Sequence, residues 1–175
     1  STVYGQKKKK EGTYGTVTVS TPGQVTITGQ NGKVIDLQHH GAGEGTIFAL
    51  TDTGYVYGWG ANNYGELNQG NTNNTVTPVF ITSGVSKIWA TGMAGNCNYQ
   101  GRGGIWCKKS TGVYYAGSNG WSHAGTGDHG GDVSGYSTLK LVGLPRNFDC
   151  AQMSSFATTD YGSVITVSYT HLTLP

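Results

Sequence analysis

The stretch that decides the fold is residues 48–70, FALTDTGYVYGWGANNYGELNQG. A β-prone run leads into a polar pair and a glycine, and a second β-prone run follows at once. This order is typical of a β-hairpin, because aspartate or serine begins a tight turn through its own backbone and glycine supplies the positive φ that such turns need. The stretch therefore predicts two antiparallel strands joined by a short turn at Gly54.

The same hairpin pattern recurs twice further along the chain. Residues 47–57 align with residues 105–115 and with residues 155–165. The turn glycines of the three copies share one column of this alignment: Gly54, Gly112 and Gly162. Internal similarity of this kind indicates a repeat architecture.

Two further β-prone runs flank the first two hairpins. Residues 34–37 and 87–90 read as inner strands upstream, and apolar strands follow Thr77-Pro78 and Ser137-Thr138 downstream. Four short strands that recur about every 40–50 residues are typical of β-propeller blades, whose sheets bury their faces against neighbouring blades. The predicted fold is therefore all-β, a partial β-propeller of four-stranded antiparallel blades.

This pattern divides the chain into successive units. Residues 1–32 are interpreted as the end of a blade, residues 33–86 and 87–147 as two full blades, and residues 148–166 as the start of a fourth. Because a blade buries its faces only against its neighbours, closing a ring is expected to require further repeats. Residues 167–175, VSYTHLTLP, resemble a translated sequencing adapter and are interpreted as non-native.

The composition supports strands and limits the kinds of partner. The 175 residues include 30 glycines, and 11% are charged against about 25% in an ordinary soluble domain. A net charge of +2 is too small for a surface that tracks phosphates, so no nucleic acid partner is expected. The single basic run, residues 7–10, is interpreted as a solvated loop. No apolar run reaches about 20 residues, so no membrane span is predicted.

The quoted stretch resembles the regulator of chromosome condensation repeat. The matching positions are Gly54, Trp59, Gly60, Asn62, Gly65, Leu67 and Gly70. The second copy is degenerate: it keeps the spacing of Gly117 and Asn119, lacks the tryptophan before the glycine, and has Ala124 where the first copy has Leu67. The resemblance implies a seven-bladed ring, in which the loop asparagine and the glycines hold the blade together.

No catalytic, cofactor-binding or metal-binding set is predicted. The three cysteines, Cys97, Cys107 and Cys150, form no CxxC pair, and Cys107 falls in a column of alanines, which predicts a small buried filler. His39-His40 with Glu44 is the nearest approach to a ligand cluster, but neighbouring strand residues point to opposite faces. The loop GTGDHGGD, residues 125–132, lacks the twelve-residue calcium-loop pattern and is interpreted as solvated.

The best binding candidates are aromatic and amide side chains in the loops. Tyr64 and Trp121 occupy equivalent positions, beside Asn63 and His123, and an aromatic face near amides can hold a sugar. The sequence thus favours a non-enzymatic binding or scaffold module that recognises a protein or a glycan, in a phage tail or at a bacterial surface. An exchange factor for a small GTPase, the function of the family's founding member, is the alternative.

Overall fold

The computed structural model describes residues 23–40, 45–92, 103–119, 124–127, 135–143, 153–159 and 162–167, with the backbone alone at 91–92 and from 153 onwards. Several positions singled out from the sequence lie outside these ranges: residues 7–10, Glu44, Cys97, Trp121, His123, residues 128–132, Cys150 and most of the adapter-like tail.

The described chain is built of β-strands, and no helix lies within it. The strands are β1 (Val34–His40), β2 (Thr46–Thr51), β3 (Val56–Gly60), β4 (Thr75–Thr82), β5 (Val85–Gly92), β6 (Gly103–Lys109), β7 (Gly112–Ser118), β8 (Gly135–Leu141), β9 (Met153–Thr159) and β10 (Gly162–Val167). The described ranges accordingly contain no helix that could cross a membrane.

The strands form two four-stranded sheets and a separate hairpin. The first sheet has the order β1-β2-β3-β4 and the second the order β5-β6-β7-β8, while β9 pairs with β10. Every pairing is antiparallel and joins strands that are adjacent in sequence. The predicted all-β fold with four-stranded blades is confirmed, and all three predicted hairpins form.

The turns of the first two hairpins differ in length by one residue. In the first, Gly54 has a φ of 81° and its N–H donates to Thr51 O at 2.9 Å. In the second, Lys109 pairs directly with Gly112, which leaves two turn residues between them. Phe48 consequently pairs with Gly58, whereas its counterpart Trp106 pairs with Tyr115. Gly58 in the first hairpin therefore corresponds to Tyr115 in the second, so equivalent residues after the turn are 57 positions apart and not 58. The sequence alignment of the hairpins did not show this shift.

A continuous apolar core lies between the two sheets. Its buried members are Phe48, Leu50, Val56, Leu67, Ile81, Val85, Ile88, Ile105, Cys107 and Ala116. Strand β6 is apolar without alternation because both of its faces are buried: Ile105 and Cys107 face the first sheet, and Trp106 belongs to a second core on the opposite face. Burial raises the pKa of the Cys107 thiol to about 12, so the sulfur is a protonated core atom and not a nucleophile.

The outward face of the first sheet keeps large apolar side chains exposed. Leu37 pairs with Ala49 and Phe80 pairs with Tyr57, on the face that alternates with the core residues. Both Leu37 and Phe80 are exposed. The outward face of the first sheet thus exposes large apolar side chains to solvent. That a further blade covers this face stays a prediction.

Candidate functional site: the loop between β3 and β4

The loop of residues 61–74 carries the described binding candidates. Asn63 is exposed and Tyr64 is half-buried. Residues 69–74 are exposed without interruption and contain no charged side chain. The single charged residue of the loop, Glu66, is 0% exposed. The loop therefore presents a neutral surface of amides and hydroxyls.

Asn62 sets the shape of this loop from its interior. Its N–H donates to Asn74 Oδ1 at 2.8 Å, and its Nδ2 donates to the carbonyls of Asn71 and Asn73 at 3.0 and 3.2 Å. Its Oδ1 accepts a hydrogen bond from Leu67 N at 2.8 Å. Because the amide uses both its donors and its acceptor within the loop, Asn62 has a structural role here.

Asn119 repeats this geometry in the degenerate second copy. It is 1% exposed, and its Oδ1 accepts from Ala124 N at 3.1 Å, the same spacing of five residues that joins Asn62 to Leu67. Its Nδ2 donates to Tyr136 Oη at 2.9 Å. Asn119 thus preserves the start of the loop, although the second copy lacks the tryptophan before the glycine and has Ala124 in place of Leu67.

Two glycines allow the close approach of β3 to β2 and of β7 to β6. Gly60 and Gly117 have φ values of 113° and 124°. A Cβ on Gly60 would lie 2.3 Å from the carbonyl oxygen of Gly45, just before β2, and a Cβ on Gly117 would lie 2.3 Å from that of Gly103 in β6. A larger residue is therefore excluded by both backbone conformation and space.

Residues 65–70 connect the first sheet to the outer strand of the second, and we call this segment the clasp. Gly70 N donates to Ser137 O at 2.8 Å. Asn68 Oδ1 accepts from Leu139 N at 2.7 Å, while its Nδ2 donates to Ile81 O at 2.7 Å. Gly65 lies against Ser137, where a Cβ would come within 2.3 Å of the serine Cα. Gly65 and Gly70 of the signature therefore serve a contact between the two sheets.

Replacing Asn68 is expected to weaken the junction of the two sheets. Asn68 has a φ of 56°, a left-handed conformation that glycine adopts without strain. Asn68→Gly removes only the two side-chain hydrogen bonds and should lower the free energy of unfolding by about 1–3 kcal/mol. Asn68→Ala should cost about 1 kcal/mol more, because it adds backbone strain. Urea unfolding of both variants measures the difference. Asn73→Ala, in the exposed part of the loop, is the control, and an equal loss there would contradict the assignment.

Glu66 holds Tyr64 at the base of the loop. Its Oε2 accepts a hydrogen bond from Tyr64 N at 2.9 Å. Burial first, then the charges of Glu66 and Tyr136, raise the pKa of Tyr115 well above its usual range. The buried carboxylate thus lies close to the second sheet. Glu66 lies between the matching positions Gly65 and Leu67 and was not singled out from the sequence, because no local pattern signals its burial.

His39 and His40, the nearest approach to a ligand cluster in the sequence, do not converge. His40 is 2% exposed, and its ring centroid lies 6.0 Å from that of Phe48. Desolvation, with a smaller contribution from His39, lowers the pKa of His40 to about 4. His39 is exposed on the other side of the strand. Within the described part of the chain, no group of three or more metal-ligating side chains comes together.

A groove of about 580 Å³ lies at the opposite ends of the strands, between the β2–β3 and β6–β7 turns. Two of its charged residues are engaged in the fold. Lys109 Nζ donates to Thr82 Oγ1 at 2.6 Å and lies 5.4 Å from the centroid of the Tyr114 ring. Asp52 Oδ1 accepts a hydrogen bond from Lys33 N at 2.9 Å. These contacts link the sheets and the turns, so the loop of residues 61–74 is the better candidate site.

Comparison with known proteins supports the repeat assignment. The Regulator of chromosome condensation (RCC1) repeat matches residues 53–96, and a second form of the same repeat matches residues 38–66. The crystal structure of human WBSCR16, an RCC1-like propeller, is similar with a TM-score of 0.63 at 15% sequence identity. That similarity covers 92% of this chain and 36% of the human one, so the chain spans about a third of its structural relative. Residues 38–96, which include strands β2 to β5, therefore match repeats of the regulator of chromosome condensation type.

Proposed function

We propose that the chain is part of a non-enzymatic propeller that recognises a neutral partner, a protein or a glycan, through the loop of residues 61–74. The observation that carries the proposal is the loop surface itself: residues 69–74 are all exposed and uncharged, on a frame held by Asn62 and the clasp. Propellers of RCC1-type repeats are generally regulators or binders and not enzymes.

The chemistry of the loop favours recognition by hydrogen bonds. Amide side chains both donate and accept, and the ring of Tyr64 offers an apolar face beside Asn63. A frame that is already ordered reduces the entropy lost when a partner binds. A charged partner would gain little here, because the only carboxylate of the loop is buried. The low overall charge leads us to propose a phage tail or a bacterial surface as the setting.

The proposal is tested with the loop variants Asn63→Ala and Tyr64→Ala. A glycan array and a pull-down with candidate surface proteins should identify a partner whose affinity falls about tenfold or more in one of these variants, as expected when a group at the centre of an interface is truncated. Trp121→Ala, at the equivalent position of the second copy, should act in the same direction. Ser110→Ala is the matched control, because it changes an exposed turn at the opposite ends of the strands.

An exchange-factor activity towards a small GTPase is the alternative function. Acceleration of nucleotide release from a small GTPase by the full-length protein, unaffected by the loop variants, would contradict recognition through this loop. Binding that survives all three loop substitutions would contradict it as well.

A further inference from the structure

We propose that Asn31 is a site of spontaneous deamidation, at which the backbone nitrogen of Gly32 displaces the side-chain amide of Asn31. The sequence contains two Asn-Gly pairs, at residues 31–32 and 119–120. Glycine in the second position favours the reaction, because the absence of a Cβ lets the amide nitrogen approach the carboxamide carbon closely. The structure distinguishes the two pairs.

Asn31 and Gly32 leave both reacting groups accessible. Both residues are exposed. Among the described residues, neither the Asn31 carboxamide nor the Gly32 N–H has a hydrogen-bond partner. The bonds that hold the segment use other atoms: Asn31 N donates to Tyr57 Oη at 3.0 Å, and Asn31 O accepts from Thr53 Oγ1 at 2.8 Å. The electrophile and the nucleophile are thus adjacent and exposed, and no hydrogen bond from the described residues holds either group.

Asn119 is the opposite case in the same chain. It is buried, its Nδ2 donates to Tyr136 Oη and its Oδ1 accepts from Ala124 N. Ring closure there requires the carboxamide to leave both partners, so the loop must open first. When a reaction proceeds only from a locally opened state, its rate is proportional to the small fraction of molecules in that state.

The reaction needs water and no other reagent. The Gly32 nitrogen bonds to Cγ of Asn31 and loses its proton, and the side-chain amide leaves as ammonia with a proton taken up from water. The resulting succinimide is then opened by one water molecule at either carbonyl. Opening at one carbonyl yields aspartate, and opening at the other yields isoaspartate, in which the main chain runs through the former side chain.

Either product disturbs the contact of residues 29–31 with the first sheet. Tyr57 Oη also donates to Gly29 O at 3.2 Å, so this segment covers the tyrosine. Isoaspartate adds a backbone atom between the anchored groups and moves the carbonyl that Thr53 binds. Both products add a negative charge to the residue before Gly32, and a Cβ on Gly32 itself would lie 2.3 Å from Asp52 Oδ1. The modification therefore loosens the junction between the first sheet and the residues before it.

The test follows both sites in one sample. The whole chain is incubated at mildly alkaline pH at 37 °C, once folded and once in concentrated urea. Trypsin then separates the two sites, since Lys33 and Lys109 lie between them. Mass spectrometry measures the conversion of amide to acid in each peptide, and an isoaspartyl methyltransferase labels the isoaspartate. Asn31→Gln is the matched control, because the longer side chain closes the ring far more slowly.

In the folded chain, Asn31 is expected to convert at least about tenfold faster than Asn119, and in urea the two rates are expected to converge. Asn31→Gln should remove the label from the peptide that ends at Lys33. Equal rates in the folded chain would overturn the proposal. So would protection of Asn31 in the folded chain relative to urea, since that result would mean that its surroundings hold it away from Gly32.

Discussion

Trp106→Ala is expected to lower the free energy of unfolding by about 3–5 kcal/mol, the range for truncating a large buried aromatic side chain. Trp106 is 0% exposed and lies in the second core, where its ring centroid is 4.3 Å from that of Tyr115. Removing the indole deletes its buried apolar surface and leaves a cavity bounded by strands that cannot fully collapse. Urea unfolding followed by far-ultraviolet circular dichroism measures the loss.

The control for Trp106 is a large aromatic residue that is not buried. Phe80 is 49% exposed in the edge strand β4, so Phe80→Ala should cost about 1 kcal/mol or less. Trp106→Phe keeps an aromatic ring and should recover much of the loss. Should Trp106→Ala prove no more harmful than Phe80→Ala, the second core would not contribute to stability as the structure indicates.

Acid is expected to destabilise the fold through His40, by about 3 kcal/mol between pH 7 and pH 4. The pKa of His40 is lowered from 6.5 to about 4, because burial removes solvent from the ring and His39 adds a like charge. Between these two values the unfolded chain binds a proton that the folded chain does not. Stability therefore falls as the pH falls from about 6.5 towards 4.

The measurement is the free energy of unfolding at several pH values for the parent chain and for His40→Leu. Leucine is close in size and does not titrate, so the variant should have a flatter dependence in that range. His39→Gln changes the exposed neighbour and should leave most of the dependence in place. An acid dependence that is the same in His40→Leu and in the parent chain would show that other groups cause it.

The local pattern of the chain was sufficient to predict the hairpins and the order of the strands. The turn glycine Gly54 and the repeated columns around it predicted β2, β3, β6, β7, β9 and β10, and all six strands form. The spacing of Gly117 and Asn119 correctly related the second loop to the first, although the loops share few side chains. These features depend on residues within a few positions of one another, so a single sequence is enough to reveal them.

The local sequence pattern did not predict the contacts between the two sheets. Asn68 was not singled out, yet it binds Leu139, 71 residues away. Glu66 was not singled out either, and it is a buried carboxylate near Tyr115. The second hairpin turn is one residue shorter than the first, so the register after it shifts by one residue, and the aligned turn glycines do not indicate this shift.

The sequence by itself determined that this chain forms strands, hairpins and repeated four-stranded sheets, since strand propensity, turn chemistry and periodicity are local properties. Only the tertiary structure decided which side chains join one sheet to the next, that His40 lies in a buried setting while His39 is exposed, and that one Asn-Gly pair is accessible while the other is protected. The physical reason is that burial and hydrogen-bond partners depend on residues distant in the chain, and identical short motifs acquire different surroundings when the sheets pack.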